Sequence, residues 1–342
     1  MSFRAKRGIS LWKNTAYEIP RFARNDRLRR DVTHDAFAQN DTRNPNPEPW
    51  LAHVPVLWRE AIEILNVRPD GFYIDATLGA GAHAEGILRR LESGKLLGID
   101  RDPAALVAAQ ERLKSFGEKL IAMRGNFAEI DALHVASGLP PADGLLADLG
   151  MSSLQVEDAS RGFSFNAPGP LDMRMDPTTG ARAADLVNQM SERELADLIF
   201  KLGEERHSRR IARAIVKGRP YRLTTELAQV VTRAIPSRAA LHHIHPATRT
   251  FQALRLAVNR ELESLESLLA QALGVLKPGG RVVVLSFHSL EDRMVKRAFQ
   301  AWQHQGRAQI LTRKVVRPSE EEVRANPRSR SAKLRAAERT AG

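Results

Sequence analysis

Three aspartates and a serine close four short apolar runs. Asp75 follows Phe72-Tyr-Ile, Asp100 follows Lys95-Leu-Leu-Gly-Ile, Asp148 follows Ala142-Asp-Gly-Leu-Leu-Ala, and Ser286 follows Arg281-Val-Val-Val-Leu. A turn with glycine at 79 and 81 comes directly after Asp75. Glycine there lets backbone N–H groups approach a ligand closely, and helical spacing resumes at Ala82. A carboxylate ending the second run, about one βα unit later, is where an α/β nucleotide site holds a ribose. The first expectation is therefore a cofactor containing a nucleoside.

Two cofactors fit the turn. Gly79-x-Gly81-x-x-Ala84 meets the dinucleotide fingerprint, but that pattern alone is a weak signal. Asp75 favours S-adenosylmethionine, whose sites typically want an acid at the first strand end, near the cationic methionine part. The plainer readings are an α/β turn with no ligand and, for Asp100, a cap for the helix opened by Asp102-Pro103. Asp148 opens Asp148-Leu-Gly-Met-Ser-Ser-Leu-Gln155, at the strand end where chemistry sits in open α/β sheets. Transfer to an exocyclic amine needs an acceptor for the amine proton, because the lone pair is delocalised into the ring; Asp148 could be that acceptor. It could equally orient the loop or hold the cofactor.

Other constellations carry less. His242, His243 and His245 resemble a metal cluster, yet no carboxylate lies near them in sequence and the spacing is not helical i, i+4. Ser286 and His288 suggest a hydrolase, but no G-x-S-x-G elbow exists, so they are expected at a substrate rim. Arg161, Arg174, Arg206, Arg209, Arg210 and Arg249 are candidate phosphate contacts, or simply solvated helix surface.

The elements that must position these groups follow from the pattern. Short apolar runs alternate with helical stretches: strands ending at Asp75, Asp100, Met123 and Asp148, with helices over 82–92, from Asp102, and after Asn126. That order implies a parallel sheet. Alternation then stops. Residues 150 to about 250 hold a Gly/Pro-rich loop (Arg161 to Pro177) and helical periodicity carrying Arg209, Arg210 and Arg213. It resumes with a helix over about 248–275, Lys277-Pro-Gly-Gly280 and the strand ending at Ser286. A helical insertion after the fourth strand is the economical reading.

With 342 residues, 43% hydrophobic and 27% charged, the chain has an ordinary globular composition and can bury a full core. No apolar run nears the ~18 residues of a membrane span, and Met1 to Pro20 lacks a signal-peptide apolar region. The absence of cysteine excludes disulfides, thiolate zinc sites and cysteine nucleophiles. The net charge of +12 is clustered: eight Lys/Arg against two acids from Phe200 to Arg222, and ten against four from Gln305 onward, six each. Clustered positive charge suits a polyanion such as nucleic acid.

Six blocks resemble the RsmH (MraW) family of S-adenosylmethionine-dependent methyltransferases of small-subunit (16S) ribosomal RNA. They are His53-Val-Pro-Val-Leu57, Asp75 through His83, Asp148 through Gln155, Arg161-Gly-Phe-Ser-Phe through Asp176, His245 through Arg255, and Ser286 through Arg293. The resemblance implies a Rossmann-like methyltransferase sheet interrupted by an all-helical substrate domain. It implies methylation of the N4 amine of a cytidine in the ribosomal decoding region; the expected transfer is in line, with inversion and no covalent intermediate. Cofactor contacts carry over onto Gly81, Ala82, His83, Asp100, Phe127, Asp148 and Gln155. Phe127 is the aromatic that can pack on adenine. Where the family has Gly-Gly-His, this chain has Gly-Ala-His. Arg174, Arg209, Arg210, Ser286 and His288 are expected on the substrate side, with small-subunit RNA or the assembled small subunit as partner, in the cytoplasm and with no metal.

The expected organisation is a disordered basic leader over 1–51 and a methyltransferase core over 52–155 and 250–316. The helical insertion covers 156–249, and a basic flexible tail covers 317–342. The leader is not part of the family pattern. Three rival readings remain: a nicotinamide oxidoreductase, a non-catalytic RNA-binding or assembly factor, and a DNA amino-methyltransferase. The (D/N/S)-P-P-(Y/F) usual in the last is absent at Asp148-Leu-Gly-Met151.

Overall fold

Strand ends that carry chemistry are useful only if the sheet brings them to one edge. In a computed structural model, residues 55–235 and 244–341 are described; the expected leader lies outside them. Seven strands among these residues form one sheet: β1 (Phe72–Asp75), β2 (Lys95–Asp100), β3 (Leu120–Arg124), β4 (Ala142–Asp148), β5 (Leu276–Ser286), β6 (Ala308–Ile310) and β7 (Lys333–Arg339). Their spatial order is β3-β2-β1-β4-β5-β7-β6. β1 to β5 run parallel, and β7 is antiparallel to both its neighbours. The strand order reverses between β1 and β4, where open α/β sheets form their ligand crevice.

Both faces of the sheet are covered, which is why its central strands read as near-continuous apolar runs. Leu145, Ala147, Val282 and Val284 face one layer, containing α4 (Ile130–Ser137), α11 (Glu261–Gln271) and α12 (Ser289–His304). The alternate residues Leu146, Val283 and Leu285 face α1 (Trp58–Leu65), α2 (Ala82–Leu88) and α3 (Pro103–Leu113).

Between β4 and β5 the chain leaves the sheet. After the short α5 (Ser153–Glu157) come α6 (Ala183–Gln189), α7 (Glu192–Gly203), α8 (Ser208–Lys217), α9 (Thr224–Ala234) and α10 (Thr248–Asn259). They share a separate apolar cluster running from Phe163 to Leu254. On α8, Ile211, Ala212 and Ile215 are buried while Arg209, Arg210 and Arg213 face outward.

Four expectations need correcting. The flexible tail expected over 317–342 is ordered structure where it is described, through residue 341: β7 lies between β5 and β6, with Leu334, Ala336 and Ala337 fully buried. Their basic residues concealed a strand in which Lys333 and Arg335 both pair with Asp292. The core does not resume at 250, because Phe251, Ala253 and Leu254 pack into the helical cluster. The helix expected over 248–275 breaks at Arg260, whose left-handed φ of 51° separates α10 from α11. The helix expected over 82–92 ends at Leu88.

Candidate active site

Register places the acids. Asp75 on β1 is level with Gly98 and Leu146, so Asp100 and Asp148 each extend two residues further along the neighbouring strands. Asp148 is level with Leu285, and Ser286 follows at the same rim. All four groups from the apolar runs thus meet at the C-terminal edge.

The glycine turn is held by these acids. Asp75 Oδ1 accepts from the Thr77 N–H at 3.1 Å. Asp100 Oδ2 accepts from Gly79 N–H and its Oδ1 from Asp102 N–H, both at 2.8 Å. Thr77 Oγ1 in turn accepts from the Asp148 N–H at 2.7 Å, joining the turn to β4. Gly81 has φ +83°, and a Cβ there would lie 2.8 Å from Leu113 Cδ1, so glycine is required. Ala82 and His83 open α2. The buried His83 ring places Nδ1 3.6 Å from Asp148 Oδ2.

These groups carry an electrostatic load. Burial, reinforced by Asp100, pushes the Asp75 carboxyl up to about 7. Burial, with Asp75 and Glu291 adding repulsion, also raises the Asp148 carboxyl, although a quarter of that side chain stays exposed. Burial raises Asp100 as well and lowers His83 to about 4, leaving a neutral imidazole. Among the described residues, Asp75 Oδ2 and Asp148 Oδ1 are buried without a hydrogen-bond partner. Acidic groups with unused acceptor atoms, arranged around a backbone turn, are suited to a cationic ligand bearing hydroxyls.

Asp102 is a hub that the sequence showed only as a helix cap. It accepts from Ala104 N–H, from Gln155 Nε2 at 2.8 Å and from Arg161 Nη1 at 2.8 Å, and is 1% exposed. Arg161 Nη2 also donates to the carbonyls of Arg174 and Met175. The β4 loop and the start of the insertion are thereby fastened to α3. Nothing local in the sequence signals a partner so far along the chain.

The expected site residues divide. Gly81, Ala82, His83, Asp100 and Asp148 converge at the crevice. Phe127 sits half-buried on the turn after β3, one residue beyond Asn126, which caps that turn. Gln155 is buried with its carboxamide already used, Oε1 accepting from Ser152 N–H and Nε2 donating to Asp102. Arg174 forks onto Asp172 through Nε and Nη2, each at 2.8 Å, so it is not an open phosphate contact. Arg161 is likewise engaged, while Arg206, Arg209 and Arg210 are exposed. Arg249 Nη1 lies 3.4 Å from the Glu204 carbonyl.

Ser286 is buried, and His288 caps α12 with Nε2 3.0 Å from Glu291 Oε1. Glu291 was given no role from sequence, yet its Oε2 accepts from the Phe287 N–H at 2.9 Å and so holds this rim in place. Burial pushes the Glu291 carboxyl up, but His288 and Arg255 outweigh it and hold the group low. Of the histidine trio, His242 and His243 lie outside the described residues. His245 stacks on Phe165 with ring centroids 4.6 Å apart.

Sheet and site define a Rossmann-like methyltransferase fold with a helical insertion. The model of the MraW methylase family matches residues 50–340. The chain belongs to that family. Relatives called ribosomal RNA small subunit methyltransferase H occur in Syntrophobacter fumaroxidans and Acidobacterium capsulatum. The first is 50% identical over 312 residues, covering 86% of this chain and 98% of the relative. The second is 53% identical over 295 residues, covering 84% and 98%.

Proposed function

We propose that this chain transfers a methyl group from S-adenosylmethionine to the N4 amine of a cytidine in the decoding region of small-subunit ribosomal RNA, in the cytoplasm. The observation that carries the proposal is the pair of buried, unpartnered oxygens, Asp75 Oδ2 and Asp148 Oδ1, at the β1/β4 switch point. The family and the names of its relatives supply the substrate class.

S-adenosylmethionine fits the donor set and, when bound, supplies an electrophilic methyl on a sulfonium. Asp75 and the turn around Gly81 would face its charged part. Asp100 retains a second lone pair on each oxygen for ribose hydroxyls, since its two backbone donors occupy one each. Phe127 offers an aromatic face for the adenine. Asp148 accepts the proton that N4 releases as the new N–C bond forms. A neighbouring positive charge lowers a carboxyl that burial had raised, so Asp148 would be ionised when the donor is in place. His83, neutral and 3.6 Å away, places no cation beside that carboxylate.

Orientation supplies much of the acceleration, since effective molarities reach ~10⁵–10⁸ M. The cytosine must leave its stack to reach the crevice. The Phe287–His288 rim, fixed by Glu291, is where the extruded base would rest, and the arginines of α8 would hold backbone phosphates. Mass mapping of small-subunit RNA from cells with and without the protein tests the proposal. The expected result is one decoding-region cytidine 14 mass units lighter in its absence (roughly one methylene for one methyl transferred). Identical maps would overturn it.

A further inference from the structure

One cavity plays no part in the site described above. It lies between α12 and strands β6 and β7, at the edge of the sheet opposite β3. Its volume is about 430 Å³, within the ~300–1,000 Å³ of small-ligand sites. Its lining combines three cations (Lys296, Arg313 and Arg335), carboxamides at Gln300 and Gln309, and the ring of Phe299. No carboxylate lines it.

Each component has a fixed or available geometry. Arg335 is held by Asp292, Nε to Oδ1 at 2.7 Å, and the same carboxylate takes Lys333 at 3.2 Å. One negative charge is thus shared between two cations, leaving a positive surplus. Lys296 and Arg313 are exposed, and Lys314 and Arg317 continue the charge along the following loop. Phe299 is 2% exposed and stacks on Trp302, so the core beneath the cavity is rigid and the polar side chains above it carry the contacts. Gln303 Oε1 accepts from Ile310 N–H at 3.1 Å, which ties the helix to the edge strand and closes one side.

We infer that this cavity is a second RNA subsite that takes one unpaired nucleotide of the ribosomal RNA, away from the methyl-transfer crevice. Phosphate suits Lys296 and Arg313, whose charge has no carboxylate in the lining to meet. Glutamine carboxamides carry both donors and acceptors and suit the edges of an unstacked base. The basic loop running on from Arg313 favours a chain over a free nucleotide, because a strand can continue along it. The inference rests on the RNA substrate proposed above.

The test uses the full chain and small-subunit ribosomal RNA, with affinity measured across a salt series. Lys296→Glu with Arg313→Glu should weaken binding at least tenfold near 0.1 M salt and flatten the log–log salt slope by about 1 to 2, at ~0.7 per phosphate. Gln300→Ala should weaken binding several-fold with the slope unchanged. S-adenosylmethionine binding by calorimetry should be unaltered, which also shows that the variants are folded. Methyl transfer should keep its kcat and raise its KM for RNA. Lys114→Glu, on the β3 side, controls for net charge. If the double variant keeps wild-type affinity and slope, or if Lys114→Glu weakens binding as much per charge, the subsite is overturned and the RNA reading stands. If the wild-type chain itself binds no ribosomal RNA, both fall.

Discussion

Arg161 and Asp102 are 59 residues apart in sequence and 2.8 Å apart in the fold. The aspartate is almost fully buried and the arginine mostly so, with side chains 2% and 15% exposed. Arg161 reaches across the crevice to the residue that opens α3, and its second nitrogen takes two carbonyls of the insertion loop. This contact fastens the insertion to the α3 side of the sheet.

Removing one partner of a buried pair leaves the other charge uncompensated, at about 3–5 kcal/mol. Arg161→Met should therefore lower the unfolding free energy by about 3–5 kcal/mol, read from denaturant titration, and weaken S-adenosylmethionine binding. Adding Asp102→Asn should restore part of the loss. Additive effects in the double-mutant cycle would show that the two side chains do not act as a pair.

Asp148→Asn keeps volume and removes the proposed proton acceptor. A positioned general base contributes ~10²–10⁴-fold, so single-turnover transfer should fall by at least a hundredfold. Donor affinity measured by calorimetry should change by less than tenfold. Transfer within a few fold of wild type would remove Asp148 from its assigned role.

Asp75 links stability to pH. Its folded pKa of about 7 stands above the ordinary carboxyl value, so the native state holds a proton that the unfolded chain releases. That contribution is fully present below pH ~4 and is lost as pH rises through 7. His83, lowered to about 4, has the opposite slope: its contribution is present above its ordinary value and lost as pH falls through 4. Comparison with Asp75→Asn at each pH isolates the aspartate. The variant should gain on wild type by a few kcal/mol between pH 4 and 8. A constant difference across that range would exclude the linkage. By the same electrostatics, binding of the cationic donor near pH 6 should release a fraction of a proton, visible as a buffer-dependent heat.

Ending the chain at Ser331 would remove β7. Strands β5 and β6 would each lose a hydrogen-bonded neighbour, and β5 would expose a long apolar edge. The shortened protein should show no cooperative thermal transition and should aggregate. A wild-type melting curve would mean that β7 is dispensable.

Local pattern revealed the parallel half of the sheet because each strand is an apolar run closed by a polar group at its own end. Asp75, Asp100 and Asp148 were legible for that reason. The last strand was not. Lys333, Arg335, Glu338 and Arg339 give it the composition of a tail, and its apolar residues find burial only against β5 and the helices. The break at Arg260 was equally hidden, since apolar spacing runs through it while the backbone there adopts a left-handed conformation.

Sequence by itself determined the order of the five parallel strands, the glycine turn and the three strand-end acids, because those depend on the period and punctuation of a few adjacent residues. Tertiary structure decided which polar groups remain available. Gln155, Arg161 and Arg174 are consumed by Asp102, backbone carbonyls and Asp172, whereas Asp75 and Asp148 keep an unpaired oxygen each. A side chain's chemistry depends on what lies within about 3 Å of it, and for Asp102 and Arg161 those neighbours arrive from distant parts of the chain.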